Sequence, residues 1–238
     1  MIQNSSNGTW RIRTSALCLM LSSCLLAPDP ARAQVEYVDP TIGGAAFLLE
    51  PTRPTVHLPN SMVRVYPIRK DQLDDQIQSF PLSIISHRQG ELFWLMPGDA
   101  DANADAWNRP ASYDQEKTTP YYYSTRLDHS SIQIEFTPAA RSGYFRFAYP
   151  SGKPAVRLAN RQRGELTPQG SNAVSGIERF SGMQAFVYGE FSAPVDFAAS
   201  QNSGRTRLAV TAREPGRTLD FRYGISFISA EQAKKNLR

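Results

Sequence analysis

Two cysteines, Cys18 and Cys24, are the whole thiol content of the 238 residues, and both fall within the first 33. The rest of the chain has no pair of thiols, so disulfides are excluded as its scaffold. Histidine is nearly as scarce. His57, His87 and His129 are far apart, and no His-x-His or His-x-x-x-His spacing supports a zinc centre or a nucleophile–base pair. There is also no glycine-rich phosphate loop, no nucleophile elbow and no internal repeat. An excess of one charge is lacking too. The chain carries 26 basic and 22 acidic residues, and without residues 1–33 the balance is 23 against 21. A nearly neutral domain offers no electrostatic footprint for nucleic acid, which is not expected as a partner.

The N-terminal segment reads as a targeting signal. Arg11 and Arg13 precede the apolar run Ala16-Leu-Cys-Leu-Met-Leu-Ser-Ser-Cys-Leu-Leu-Ala27, which is too short to cross about 30 Å of hydrocarbon. Ala31-Arg-Ala33 supplies the small-x-small pattern of a signal peptidase site. Residues 1–33 are therefore expected to be a signal peptide and residues 34–238 a secreted or periplasmic domain. A lipobox is the competing reading. Leu21-Ser-Ser-Cys24 would let Cys24 take a lipid, and only then is a membrane expected as a partner.

What the sequence does contain is β pattern. Short runs of β-branched and aromatic residues, broken every ten residues or so by Gly, Pro, Ser and Asn, predict an antiparallel sandwich or barrel. Strands are expected over 62–66, 82–86, 91–96, 121–127, 131–137, 143–149, 155–158, 176–180, 184–191, 205–212 and 218–228. Ile132, Ile134 and Phe136 alternate with Gln133 and Glu135, the period of a half-buried strand. Gly143-Tyr-Phe-Arg-Phe-Ala-Tyr149 is aromatic on both faces, which predicts a strand covered on both sides. One short helix is expected at the C-terminus. There Ser229 and Gln232 form a Ser-x-x-Gln capping box, and Lys234 and Lys235 suit the negative end of the helix dipole. Residues 97–120 read as a long polar loop.

Few residues offer chemistry. Asp99-x-Asp101-x-Asn103-x-Asp105 resembles a calcium loop but lacks the central Gly and distal Glu; a solvated acidic loop is the simpler reading. No carboxylate pair has a context that would raise one pKa and hold the other low. The aromatic side chains are more suggestive, because flat apolar faces beside hydrogen-bonding groups suit sugar rings. Trp94, within Glu91-Leu-Phe-Trp-Leu-Met96, is expected in the interior. Trp107, in the polar loop, is expected to be exposed and is the candidate to touch a glycan.

Several colinear segments resemble the N-terminal domain of the glycoside hydrolase family 92 exo-α-mannosidases. They are Tyr37-Val-Asp-Pro-Thr-Ile-Gly43, Leu58-Pro-Asn-Ser-Met-Val-Arg-Val-Tyr-Pro67, Ile85-Ser-His-Arg-Gln-Gly90 with Leu95-Met-Pro97, and Pro120-Tyr-Tyr-Tyr-Ser-Thr-Arg-Leu127. The resemblance continues through 132–147, Ala185-Phe-Val-Tyr-Gly-Glu-Phe-Ser-Ala-Pro194 and the most specific stretch, Gly224-Ile-Ser-Phe-Ile-Ser-Ala-Glu-Gln-Ala-Lys-Lys-Asn-Leu237. It implies an all-β, large two-sheet sandwich of the galactose-mutarotase-like type with a short C-terminal helix, which in that family packs against an α/α-barrel. Also by resemblance, the catalytic acid and base and the calcium ligands belong mainly to that barrel. No cofactor or metal and no catalytic residue is therefore expected here, with calcium expected only through a barrel domain.

The same resemblance marks His57 and His87, with Trp107, as substrate-binding candidates toward a mannose-containing glycan. The loops that would face the sugar are rewritten. Gly44-Ala-Ala-Phe-Leu-Leu-Glu replaces a glycine- and histidine-rich loop, Ser86-His-Arg-Gln-Gly90 keeps one histidine of two, and Arg69-Lys-Asp-Gln-Leu-Asp-Asp75 replaces a tryptophan-containing segment. Three readings stay open. The first is an accessory carbohydrate-binding sandwich of a mannosidase-like protein, without activity alone, that completes the cleft of a barrel domain or subunit. The second is a structural or protein-interaction module that has lost its sugar subsites. The third is a mutarotase-like epimerase using His57 or His87 with Glu91.

Overall fold

The computed structural model describes residues 34–42, 54–70, 74–86, 90–98, 107 and 109–238. The expected signal peptide, the Asp99–Asp105 loop and His87 lie outside them. Val35–Tyr37 form one 3-10 turn. From Val38 onward the described residues make a separate compact unit.

The strands of that unit are, in chain order, β1 (Val56–His57), β2 (Arg64–Val65), β3 (Gln76–Ile77), β4 (Ser83–Ser86), β5 (Gly90–Leu92) and β6 (Trp94–Pro97). They continue with β7 (Ala111–Thr119), β8 (Tyr122–Leu127), β9 (Gln133–Pro138), β10 (Ser142–Ala148), β11 (Ala155–Ala159) and β12 (Arg163–Gln169). Last come β13 (Ala173–Phe180), β14 (Met183–Phe191), β15 (Val195–Asn202), β16 (Arg205–Ala212) and β17 (Thr218–Ser226), followed by helix α1 (Ala230–Asn236). A nine-stranded sheet runs β12-β13-β14-β17-β10-β9-β8-β7-β3, and a four-stranded sheet runs β15-β16-β11-β6. The pairs β1-β2 and β4-β5 stand beside them. All pairings are antiparallel.

The two larger sheets bury one shared core, with Ile134, Phe136, Phe145 and Phe147 from the nine-stranded sheet and Val156, Leu158, Leu208 and Val210 from the four-stranded one. Phe145 is its hub: its ring lies 4.6 Å from Phe136, 5.9 Å from Phe80, 5.8 Å from Phe147 and 6.2 Å from Tyr223. Each such side chain contributes on the order of 1.5–3 kcal/mol by leaving water. Gly143 faces Tyr223 across the β10–β17 pair. A Cβ there would come within 2.4 Å of the Tyr223 hydroxyl, which donates to the Leu82 carbonyl at 2.7 Å. The glycine is needed in mid-strand because a ring crosses over it.

Several expectations change. Gly143–Ala148 is covered on one side only: Phe145 and Phe147 point inward, while Tyr144 and Arg146 point outward and both contact Asp220. The expected loop at 97–120 contains the nine-residue strand β7, whose four central residues are all exposed. Pairing with β8, broken by a bulge between Asp114 and Lys117, makes it a strand without hydrophobic alternation. Strands β12 and β15, also unexpected, are sheet edges; Pro168 is tolerated in β12 for that reason.

Helix α1 is docked as expected, since a Cβ on Gly224 of β17 would lie 2.2 Å from the Ala233 carbonyl oxygen. Its cap is half of a capping box. Ser229 accepts from the Gln232 N–H at 3.1 Å, but the Gln232 amide turns down the helix to Asn236, and the Ser229 N–H is taken by the Ser226 hydroxyl.

Candidate functional site

The segment 91–96 does not form one strand. Phe93, fully buried, adopts φ 55° and separates β5 from β6. A left-handed residue in mid-segment breaks the period of two, so Leu92, Phe93 and Leu95 all point into the core while Trp94 turns outward. The kink is pinned by Glu178 of β13. Its carboxylate, itself fully buried, accepts the Phe93 N–H at 2.7 Å and also the Gln162 N–H. Burial pushes this carboxyl up to about 7, opposed by the backbone N–H groups of Gln162, Phe93 and Arg161 and by the Asn160 side chain.

On the outer face of the four-stranded sheet, cross-strand register sets Trp94, Ala159 and Arg207 in one row. Their chain neighbours Leu95, Leu158 and Leu208 fill the inner face. Ala159 is the small residue between two large ones, and Trp107 covers the gap. Its ring lies 5.6 Å from that of Trp94, and the Arg207 guanidinium sits 5.4 Å from its centroid. A cation over an indole face at this range is worth about 0.5–1 kcal/mol or more. Arg157 lies 6.0 Å from the Trp94 ring on the same face.

Between these groups lies a cavity of about 230 Å³, with Gln78, Asn160, Arg161 and Arg205 completing its wall. Asn160 is held in place. It donates to the Ile177 carbonyl at 3.1 Å and accepts from the Thr206 N–H at 3.2 Å. Arg161 pairs through Nε with Glu91 at 2.9 Å. Arg207 is held below the usual guanidinium range, first by burial and then by the charge of Arg205. The walls are indole faces and N–H donors, and among the described lining residues there is no carboxylate. Such a wall can bind a ring and an oxygen-rich or anionic group.

The exposure expected of the two tryptophans is reversed: Trp107 is 3% exposed, whereas Trp94 is only partly buried. The polar stretch before Trp107 concealed an anchor whose face is taken by Arg207. His57, exposed in β1, has Nε2 at 3.0 Å from the Ser61 carbonyl oxygen and is not part of the cavity wall. Of the two candidates among the described residues, Trp107 lines it and His57 does not. Glu91 is engaged by Arg161, and no hydrogen bond links it to His57. The arginines were overlooked, although Arg205-Thr-Arg207 alternating with buried Thr206 and Leu208 carries them on one face. Among the described residues no group of three or more metal-ligating side chains gathers, and no helix is long and apolar enough to cross a membrane. Asp39 makes a local turn by accepting from the N–H and hydroxyl of Thr41, at 2.8 and 2.6 Å, which holds its pKa below the usual carboxylate value.

Comparison with known proteins reaches the same architecture. The glycosyl hydrolase family 92 N-terminal domain matches over residues 37–232. Among solved structures, a family GH92 inverting mannosidase from Bacteroides thetaiotaomicron VPI-5482 superposes with a TM-score of 0.76 at 22% identity, over 85% of this chain and 33% of that one. A family GH92 α-mannosidase from Bacteroides thetaiotaomicron gives 0.70 at 16% identity, over 85% and 34%. A further GH92 family glycosyl hydrolase gives 0.69 at 17% identity, over 84% and 33%. The chain thus spans about one third of the length of the mannosidases it resembles. No curated protein matches it.

Proposed function

The chain belongs to the glycosyl hydrolase family 92 N-terminal domain family, and from that premise we propose that it is the accessory, carbohydrate-binding sandwich of a mannosidase-like protein, without glycosidase activity of its own. The observation that carries the reading is coverage. Nearly the whole sandwich aligns with one third of each mannosidase, and the described residues offer the indole faces and fixed donors of a binding wall with no carboxylate among them. In this reading the sandwich works beside a catalytic α/α-barrel domain or subunit, and His57 and His87 contribute to a mannose-containing glycan's surroundings. Ala31-Arg-Ala33 supports export to the cell exterior or periplasm, with lipid attachment at Cys24 as the alternative.

The test is direct. The purified chain is expected to release no mannose from an α-mannoside while binding mannose-containing glycans in calorimetry. Turnover by the chain alone would overturn the non-catalytic role. A second reading, a structural or protein-interaction module, is favoured by the rewritten loop after Thr41-Ile42-Gly43; absence of all glycan binding would establish it in place of the first.

A further inference from the structure

We propose that the cavity on the outer face of the four-stranded sheet, between Trp94, Trp107 and Arg207, is a binding site for a single sugar ring bearing an oxyanion, either a carboxylate or a phosphate. The inference deepens the carbohydrate-binding reading and rests on it for the ring; the charge requirement stands on this site alone.

The size comes first. About 230 Å³ is below the range of drug-sized pockets, which begins near 300 Å³, so one ring fits and an extended oligosaccharide does not. The walls set the chemistry. Trp94, only partly buried, presents apolar surface of the kind that takes the C–H face of a pyranose, and the buried Trp107, its ring 5.6 Å away and inclined by 31°, is the anchor beside it. Gln78, exposed at the cavity, adds a neutral polar group suited to a hydroxyl, while Asn160, buried and engaged with Ile177, Thr206 and Glu178, holds the wall in place.

Charge then distinguishes this wall from a neutral sugar site. Arg205 and Arg207 lie two apart on one strand and so share a face. Like charges so placed repel, and among the described residues no carboxylate pairs with either of them. Arg161, the third guanidinium at the cavity, contacts Glu91 through Nε. A guanidinium fork matches a carboxylate or phosphate in two parallel N–H···O bonds. An oxyanion entering the cavity would relieve the repulsion between Arg205 and Arg207, which a neutral hexose cannot do.

The experiment is calorimetric titration of the full chain with four probes: mannose, glucuronate, mannose 6-phosphate and inorganic phosphate. The expected result is that glucuronate or mannose 6-phosphate binds at least about tenfold tighter than mannose, the worth of one charge-assisted hydrogen bond. The tighter of the two tells whether carboxylate or phosphate is the natural anion. Arg207→Gln and Arg205→Gln are each expected to weaken that binding about tenfold, and Arg217→Gln, elsewhere on the surface, to leave it unchanged. Arg205 is exposed, so its variant folds even if Arg207→Gln does not. Mannose binding as tightly as the acidic sugars overturns the inference, as does inorganic phosphate binding as tightly as mannose 6-phosphate, or indifference to Arg205→Gln. Glycan binding that survives both arginine substitutions would sink this site and leave the accessory role standing; loss of all binding in the parent protein sinks both.

Discussion

The outer faces of the two sheets are built on the same alternation and differ in how their charges are matched. On the nine-stranded sheet the polar groups are matched. Tyr122 donates to Glu135 at 2.6 Å, Tyr144 and Arg146 converge on Asp220 at 2.6 and 3.3 Å, and Arg222 reaches Glu190 at 3.0 Å. Register explains the matching. Arg146 lies between Glu135 and Asp220 on neighbouring strands, and Arg222 is opposite Glu190. On the four-stranded sheet the corresponding row is Trp94, Ala159 and Arg207, with Arg205 further along β16. There, among the described residues, Arg207 faces the Trp107 indole with Arg205 as its like-charged neighbour, and the matched pair is Asp196 with Arg213. One face is a satisfied ladder that stabilises modestly. The other sets two arginines side by side with no carboxylate paired to either among the described residues.

Removing the core beneath both faces should have the largest effect. Phe145→Ala deletes the ring that Phe80, Phe136, Phe147 and Tyr223 pack around and is expected to cost about 3–5 kcal/mol. Urea unfolding measures it, and a loss below about 1 kcal/mol would mean that this aromatic cluster is not what holds the core.

Next in size is the pin that aims Trp94 outward. The Glu178 carboxyl titrates near 7 in the folded protein against an ordinary 4.5, so the folded state holds its proton more tightly. That contribution is fully present below about pH 4.5 and is lost as the pH rises through 7. Glu178→Gln cannot titrate. Its stability relative to the parent is therefore expected to improve by roughly 2–3 kcal/mol between pH 4.5 and pH 8, followed by urea midpoints at the two pH values. An unchanging difference would show that the carboxylate's N–H donors offset its burial completely.

The smallest effects separate the faces most cleanly. Arg222→Gln breaks an exposed pair, with the arginine 60% exposed, and is expected to cost less than about 1 kcal/mol. Arg205→Gln removes a like-charge neighbour of Arg207 and is expected to raise stability by about 0.3 kcal/mol at low salt. Opposite signs in thermal melts at low ionic strength sharpen the comparison; equal losses would break it.

The core strands were legible wherever one face is apolar. Ile132, Ile134 and Phe136 went inward as their spacing requires, and Ser229 caps α1 as its type requires. Strand β7 was not legible, because Asp114, Gln115, Glu116 and Lys117 are all exposed and only a partner's backbone makes them a strand. Trp94 was misread for a different reason: the turn at Phe93 is stabilised by Glu178, a residue far along the chain.

Composition and periodicity by themselves therefore determined an all-β sandwich or barrel without disulfides, a short capped helix, and the strands of the shared core, since side-chain alternation and capping are local properties of the chain; the choice of a two-sheet sandwich came from the family resemblance. Only the tertiary structure decided the rest. Trp94, Ala159 and Arg207 come from separate parts of the chain and meet through cross-strand register and one buried carboxylate, and Trp107 joins them through its contacts with Trp94 and Arg207. Nothing local to any of them specifies whether the others are neighbours, so the wall they form appears only when the sheets are paired.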